Sequence, residues 1–231
     1  MLKLPPNSSP RGNQFALFAL IALTAAGGAA ALEFSGAGAL FAPYFGTVDP
    51  VLALVAAGAI GALSLWSLHA CGWFAARCDG GVQGLGIAAL GATLLAATAI
   101  AVDAAVGIAV VNVPTPWSLL FYPSIALVVE ALFHLAPLAP LFAGLRSVPR
   151  LGESRAALTC ILLLSVLEPV YQVRLAMAER TLSALDAYVF AQVWAVNLVQ
   201  LYLFRRFGFG AMYATRLVYY LWWHIVWGAL R

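Results

Sequence analysis

The chain has 231 residues, 64% hydrophobic and 9% charged, with a formal net charge of +3. Soluble domains carry roughly 25% charged residues, so this chain cannot cover its outside with polar groups, and its solvent must largely be lipid. The small net charge gives no reason to expect nucleic acid as a partner. The long unbroken apolar runs exclude a β-barrel, which alternates over segments of about ten residues.

The expected fold is therefore all-α: a polytopic transmembrane bundle of about seven spans in one domain, 14–231, behind a flexible cytoplasmic tail, 1–13. The tail, MLKLPPNSSPRGN, is polar and proline-rich. The first span, about Gln14–Leu32, follows Lys3 and Arg11. It is close to spanning length and more spans follow, so it reads as an uncleaved helix rather than the shorter core of a signal peptide. Residues 33–50 form a connector with turn residues at both ends. The second span begins after Pro50, runs to about Ala76 and contains His69. The glycine-rich turn RCDGGVQG leads to a third span from about Leu85. Asp103 interrupts it, and AAVGIAVVNV then ends at Pro114 and Pro116. That region reads either as one long helix or as a helix plus an interfacial piece.

The fourth span, Trp117–Leu145, carries Glu130 and His134, then Pro137 and Pro140. A polar loop, 146–155, precedes a fifth span of about Ala156–Met177 with Glu168, Pro169, Gln172 and Arg174. In the short loop ERTLSALD, Thr181 or Ser183 is positioned to cap the next helix. The sixth span, about Ala187–Phe204, holds Asn197 and Gln200. After the basic turn RRFGFG, the seventh span, about Ala211–Leu230, contains Arg216 and His224 among tyrosines and tryptophans. With the N-terminus inside, Lys3, Arg11, Arg77, Arg146, Arg150, Arg155, Arg205 and Arg206 fall in or beside cytoplasmic segments. Only Arg180 and Arg231 lie clearly on the far side. The positive-inside rule thus agrees with seven spans, N-in and C-out.

The intramembrane polar groups carry the functional expectation, because a charged residue at the centre of a membrane helix costs about 2.5–3.5 kcal/mol on insertion scales. Glu130 and His134 are four apart and share a helix face. Pro137 and Pro140 are expected to kink the helix beside them. Glu168 directly precedes Pro169, which pushes it toward non-helical backbone, and Gln172 lies one turn on. An ion pair with Arg174 or Arg216 is the alternative to a chemical role. His224 has Tyr220 one turn before it and Arg216 two turns before it. His69, flanked by Trp66 and Trp73, reads as a packing or interfacial residue, Asp103 as a solvated one, and Asn197 and Gln200 as links between helices. The cysteines, Cys71, Cys78 and Cys160, have no disulfide or metal spacing. Two carboxylates and two imidazoles from three spans suit either water activation by a buried glutamate or a divalent metal. No HExxH pair makes zinc specific. No cofactor is expected from the motifs.

Residues 117–230 resemble the CPBP family, the CAAX-protease and bacteriocin-processing intramembrane peptidases. VEALFH (129–134) resembles that family's glutamate motif, with Val129 for its first Glu, Glu130 for its second and His134 in place of Arg. LSVLE (164–168) is similar to its second motif, with Glu168 in the histidine position, as in the related PrsW-type branch. HIVWG (224–228) resembles the final histidine motif, with Gly228 replacing Asn or Asp. The resemblance implies a glutamic-type intramembrane endopeptidase in the plasma membrane of a bacterium or archaeon, acting on a membrane-associated peptide or protein. Glu130 would be the base, His134 and His224 would polarise water or the scissile carbonyl, and Glu168 would orient a partner. Gln172, Arg216 and Tyr220 would support them. The alternatives are a proton-coupled small-molecule transporter using Glu130 and Glu168, an inactive scaffold or chaperone-like relative, and a haem protein ligated by His134 and His224.

Overall fold

The structure is a computed structural model that describes residues 12–75, 77–78, 81–108, 112–179 and 181–230. Most of the expected tail therefore lies outside the described residues. Its last two, Gly12–Asn13 (β1), pair antiparallel with Arg77–Cys78 (β2).

The other elements among the described residues are helices, and the helix starts follow from capping. Asn13 accepts hydrogen bonds from the amides of Phe15 and Ala16 at the head of α1 (Gln14–Phe34). A 3-10 turn, Gly38–Phe41, and the short α2 (Ala42–Phe45) fill the connector. Asp49 caps α3 (Pro50–Ala70), where Pro50 fits a first-turn position that needs no N–H. The 21 residues of α1 or α3 rise about 32 Å, enough for a hydrocarbon core of about 30 Å. Next comes α4 (Gly81–Val106). It runs past Asp103 but ends at Val106, and residues 107–108 and 112–114 are not helical, so the helix does not extend through the whole of AAVGIAVVNV; residues 109–111 lie outside the described residues. Asp103 itself is buried, not solvated: it accepts from Ile108 N and from Trp227 Nε1, each at 2.5 Å.

The fourth span is three pieces: α5 (Ser118–Val129), a π-helical turn at Glu130–Leu135, and α6 (Ala136–Arg146). Pro137 explains the interruption. It has no N–H to give the preceding turn, and the Ala136 amide bonds Ala131 O, five residues back. The fifth span is broken in the same way, into α7 (Glu153–Leu164) and α8 (Leu167–Glu179). After it come α9 (Ala184–Phe207), α10 (Phe209–Tyr220), a second π-helical turn at Leu221–Val226, and α11 (Trp227–Leu230). The capping expectation holds at Ser183, which forms a reciprocal capping box with Asp186.

Among the described residues, six helical segments are long and apolar enough to cross a membrane. A seventh stretch, Phe209–Leu230, is not one of the six; it is of comparable length, and its lower apolarity comes from Arg216, His224 and its tyrosines and tryptophans. The molecule is an integral membrane helix bundle with about seven passes. Its packing depends on small residues. Ala88, Ala92, Ala96 and Ala99 form a buried stripe along α4, against which α9 and α10 lie. On α3, Gly61 sits under the ring of Phe18, leaving no room for a Cβ there.

One end of the bundle gathers alternate helix ends. Gly210 N donates to Gln14 Oε1, Arg146 to Cys71 O, and Arg205 to Gly72 O, Trp73 O and Glu153. These residues begin α1, α7 and α10 and end α3, α6 and α9. The up-and-down path expected from the charge pattern is thus the path the chain follows.

Candidate functional site

At the centre of the bundle, Arg216 of α10 joins two carboxylates from different spans. Its Nε donates to Glu130 Oε1 at 2.5 Å, while Nη1 and Nη2 bind Glu168 Oε1 and Oε2 at 3.1 and 2.8 Å. Glu168 is thus held by the planar bidentate fork that only Arg supplies. The other N–H positions meet Tyr220 OH (3.4 Å), Asn197 Oδ1 (3.2 Å) and Gln200 Oε1 (3.1 Å). The guanidinium has no donor to spare. Arg216 is 2% exposed, Glu130 0% and Glu168 5%, so the network is dry on most sides.

Glu130 is saturated as well. Gln200 Nε2 donates to its Oε1 at 2.5 Å, and His134 Nδ1 donates to its Oε2 at 2.6 Å. The expected pairing of Glu130 with His134 is present, and the π-helical turn carries both. Burial leaves His134 Nε2 with no hydrogen-bond partner among the described residues. The network thus gathers two carboxylates, one guanidinium and one imidazole.

The break before α8 places Glu168, but not as Pro169 alone suggests. Glu168 is helical, in the first turn of α8, and the chain leaves helix earlier, at Ser165–Val166. A proline is tolerated in a first turn, and a carboxylate there faces the positive end of the helix dipole. Pro169 cannot donate to Ser165 O, four residues back. Asn197 Nδ2 takes that carbonyl at 3.2 Å instead, while its Oδ1 accepts from Arg216. Gln172 Nε2 donates to Glu168 Oε1 at 3.2 Å, as its spacing implies. Arg174 is exposed; the ion pair forms with Arg216.

A cavity of about 720 Å³ lies against this network. Its walls come from α2, α4, α5, α8, α9, α10 and both π-helical turns, with Ile108 just beyond α4. Glu168, Gln172, Arg216, Tyr220 and His224 line it. Glu130 and His134 do not; they stand behind the wall. Leu132 of the first π-helical turn and Tyr171 and Leu175 of α8, also lining residues, are 45%, 51% and 53% exposed, so the cavity has an open side between that turn and α8; Tyr44 of α2, 59% exposed, lines a second open side at the end of the bundle.

His224 is on the cavity wall but outside the charge network. It donates from Nδ1 to Asn112 Oδ1 (2.9 Å), stacks on Tyr122 at 4.8 Å between ring centroids, and meets the edge of Tyr220. The expected convergence of four groups on one centre is therefore partial. Glu130, His134 and Glu168 meet through Arg216, while His224 shares only the cavity with Glu168. His134 and His224 do not line a common cavity, as two axial haem ligands would have to. Among the described residues, no three His, Cys, Asp or Glu side chains gather as a metal ligand set.

Sequence reasoning gave Asn197 and Gln200 only a linking role. They connect helices through the charge network itself, and their three-residue spacing, which sets both on one face of α9, was the available signal. His69 does pack, through Phe15, Phe74 and Phe74 O.

No family model, curated protein or solved structure matches this chain. The functional reading therefore rests on the geometry of the site.

Proposed function

We propose that this protein is an integral membrane carrier that exchanges protons for a small amphipathic molecule held in the lateral cavity. The observation that carries this reading is the double membership of Glu168. Its carboxylate is the bidentate partner of Arg216 and also part of the cavity wall. A polar group entering the cavity competes with Arg216 and Gln172 for the same oxygens. Cavity occupancy and the charge network are thereby coupled, which is what a ligand-driven change of state requires. A network with two carboxylates to one guanidinium is neutralised by one added proton, so proton and ligand become alternatives. The open side between the first π-helical turn and α8 admits a molecule already dissolved in the bilayer.

Hydrolysis of a membrane-associated peptide is the second reading, favoured by Glu168 and His224 facing one cavity. In that reading Glu168 is the better base, because Glu130 lies behind the wall with both oxygens engaged.

The test is reconstitution into proteoliposomes with a pH-sensitive dye trapped inside. A panel of small cationic, anionic and neutral amphiphiles is added outside. At least one compound should drive a change of internal pH, and the Glu168→Gln variant should lose it. No change with any compound, or an unchanged response in the variant, overturns the carrier. Cleavage of membrane peptides by the native protein, lost in Glu168→Gln, would put hydrolysis in its place.

A further inference from the structure

The cavity wall is unusually aromatic for one that ends in an ionic network. Tyr122, Tyr171, Tyr219, Tyr220, Trp223 and His224 all line it. An aromatic face carries partial negative charge, so rings around a cavity attract cations, and more strongly where the cation is desolvated. The ring of Tyr220 already lies under the Arg216 guanidinium, 5.8 Å from its centroid. At the polar end, Glu168 presents an acceptor-only carboxylate to the cavity. Arg216 has its donors committed to Glu130, Glu168, Tyr220, Asn197 and Gln200. An anion entering here would find no free N–H of Arg216. It would also meet the Glu168 carboxylate and the negative faces of the rings. A neutral apolar molecule would gain from the walls but not from the acidic end.

We infer that the ligand of this cavity is a lipophilic organic cation, its charge set between the aromatic walls and Glu168 and its apolar body directed toward the lateral opening. This deepens the carrier reading and rests on it. Binding needs no new bond, only displacement of the proton that otherwise balances the excess carboxylate.

The probes are tetraphenylphosphonium and tetraphenylborate, matched in size and shape and opposite in charge. Binding to the purified full chain in neutral-detergent micelles is read by equilibrium dialysis against protein-free micelles, in sodium buffer. Tetraphenylphosphonium should bind saturably, one per chain, and tetraphenylborate should not saturate. Glu168→Gln should weaken phosphonium binding by about tenfold or more. Tyr171→Leu, at the half-exposed rim, should weaken it severalfold without touching the charge network. Borate binding as tight as phosphonium, saturation by neither probe, or unchanged affinity in both variants overturns the assignment to cations. The proton-flux measurement stands apart. Flux driven only by anionic or neutral amphiphiles would keep the carrier and discard the cation; absence of any flux with phosphonium still binding would discard the carrier and keep the site.

Discussion

Arg216 does at residue scale what no other side chain here can do. Its fork binds Glu168 through two nitrogens while Nε reaches Glu130 on another helix. Removing one partner of a buried pair costs about 3–5 kcal/mol, because the remaining charges are left uncompensated. Arg216→Met strands two carboxylates and should lower stability by at least that amount, measured by thermal unfolding in detergent. Arg216→Lys should recover little of it, since an ammonium cannot span both carboxylates in a planar geometry. Full stability in the lysine variant would show that a point charge suffices and that the fork is incidental. The double variant Glu130→Gln, Glu168→Gln in an Arg216→Met background should be more stable than Arg216→Met alone, because it removes the stranded charge.

At the scale of the element, proline placement decides where side chains of one helix serve another. Pro169 leaves Ser165 O without its helical donor, and Asn197 of α9 fills the vacancy at 3.2 Å. A buried acceptor left unmet costs about 1–3 kcal/mol. Asn197→Leu should therefore destabilise the native chain by that order. In a Pro169→Ala background the new amide N–H can take Ser165 O, and the same substitution should cost less. A double-mutant cycle in urea or heat reads the difference directly. Equal costs in both backgrounds would mean that the carbonyl plays no part in holding Asn197. Pro137 acts similarly in the fourth span, where the π-helical turn widens the helix under Glu130 and His134. Such turns are frequent at functional sites, and both of those seen here carry a histidine.

At the scale of the molecule, one end of the bundle is clasped by Arg205. Its guanidinium reaches Gly72 O, Trp73 O and Glu153, and lies over the ring of Trp73, which is fully buried against Phe142. The ion pair is the weaker part, since Arg205 and Glu153 side chains are 28% and 47% exposed and exposed pairs contribute about 0–1 kcal/mol. Glu153→Gln should be nearly neutral. Arg205→Ala should cost about 1–3 kcal/mol, as expected when part-buried carbonyls lose their donor. It should also raise hydrogen exchange around residues 71–75 first. Comparable losses in the two variants would assign the clasp to the ion pair instead.

The sequence by itself determined the solvent, the secondary structure and the identity of the costly residues. Apolar runs of spanning length admit only closed helical backbone in lipid. Local chemistry set the helix starts, since Asn13, Asp49 and Ser183 each act on amides two or three residues away. Glu130 and His134 were legible as a pair for the same reason, being one helical turn apart. Only the tertiary structure decided which of the buried groups meet. Glu130 and Arg216 are 86 positions apart, and Glu168 and Arg216 are 48. Whether such groups face each other depends on the rotation and register of their helices, which packing over small residues and proline-induced breaks fix collectively. That is why the fourth span, read alone, presents Glu130 as a free base, whereas in the bundle it is a saturated carboxylate behind the cavity wall and Glu168 is the one the cavity reaches.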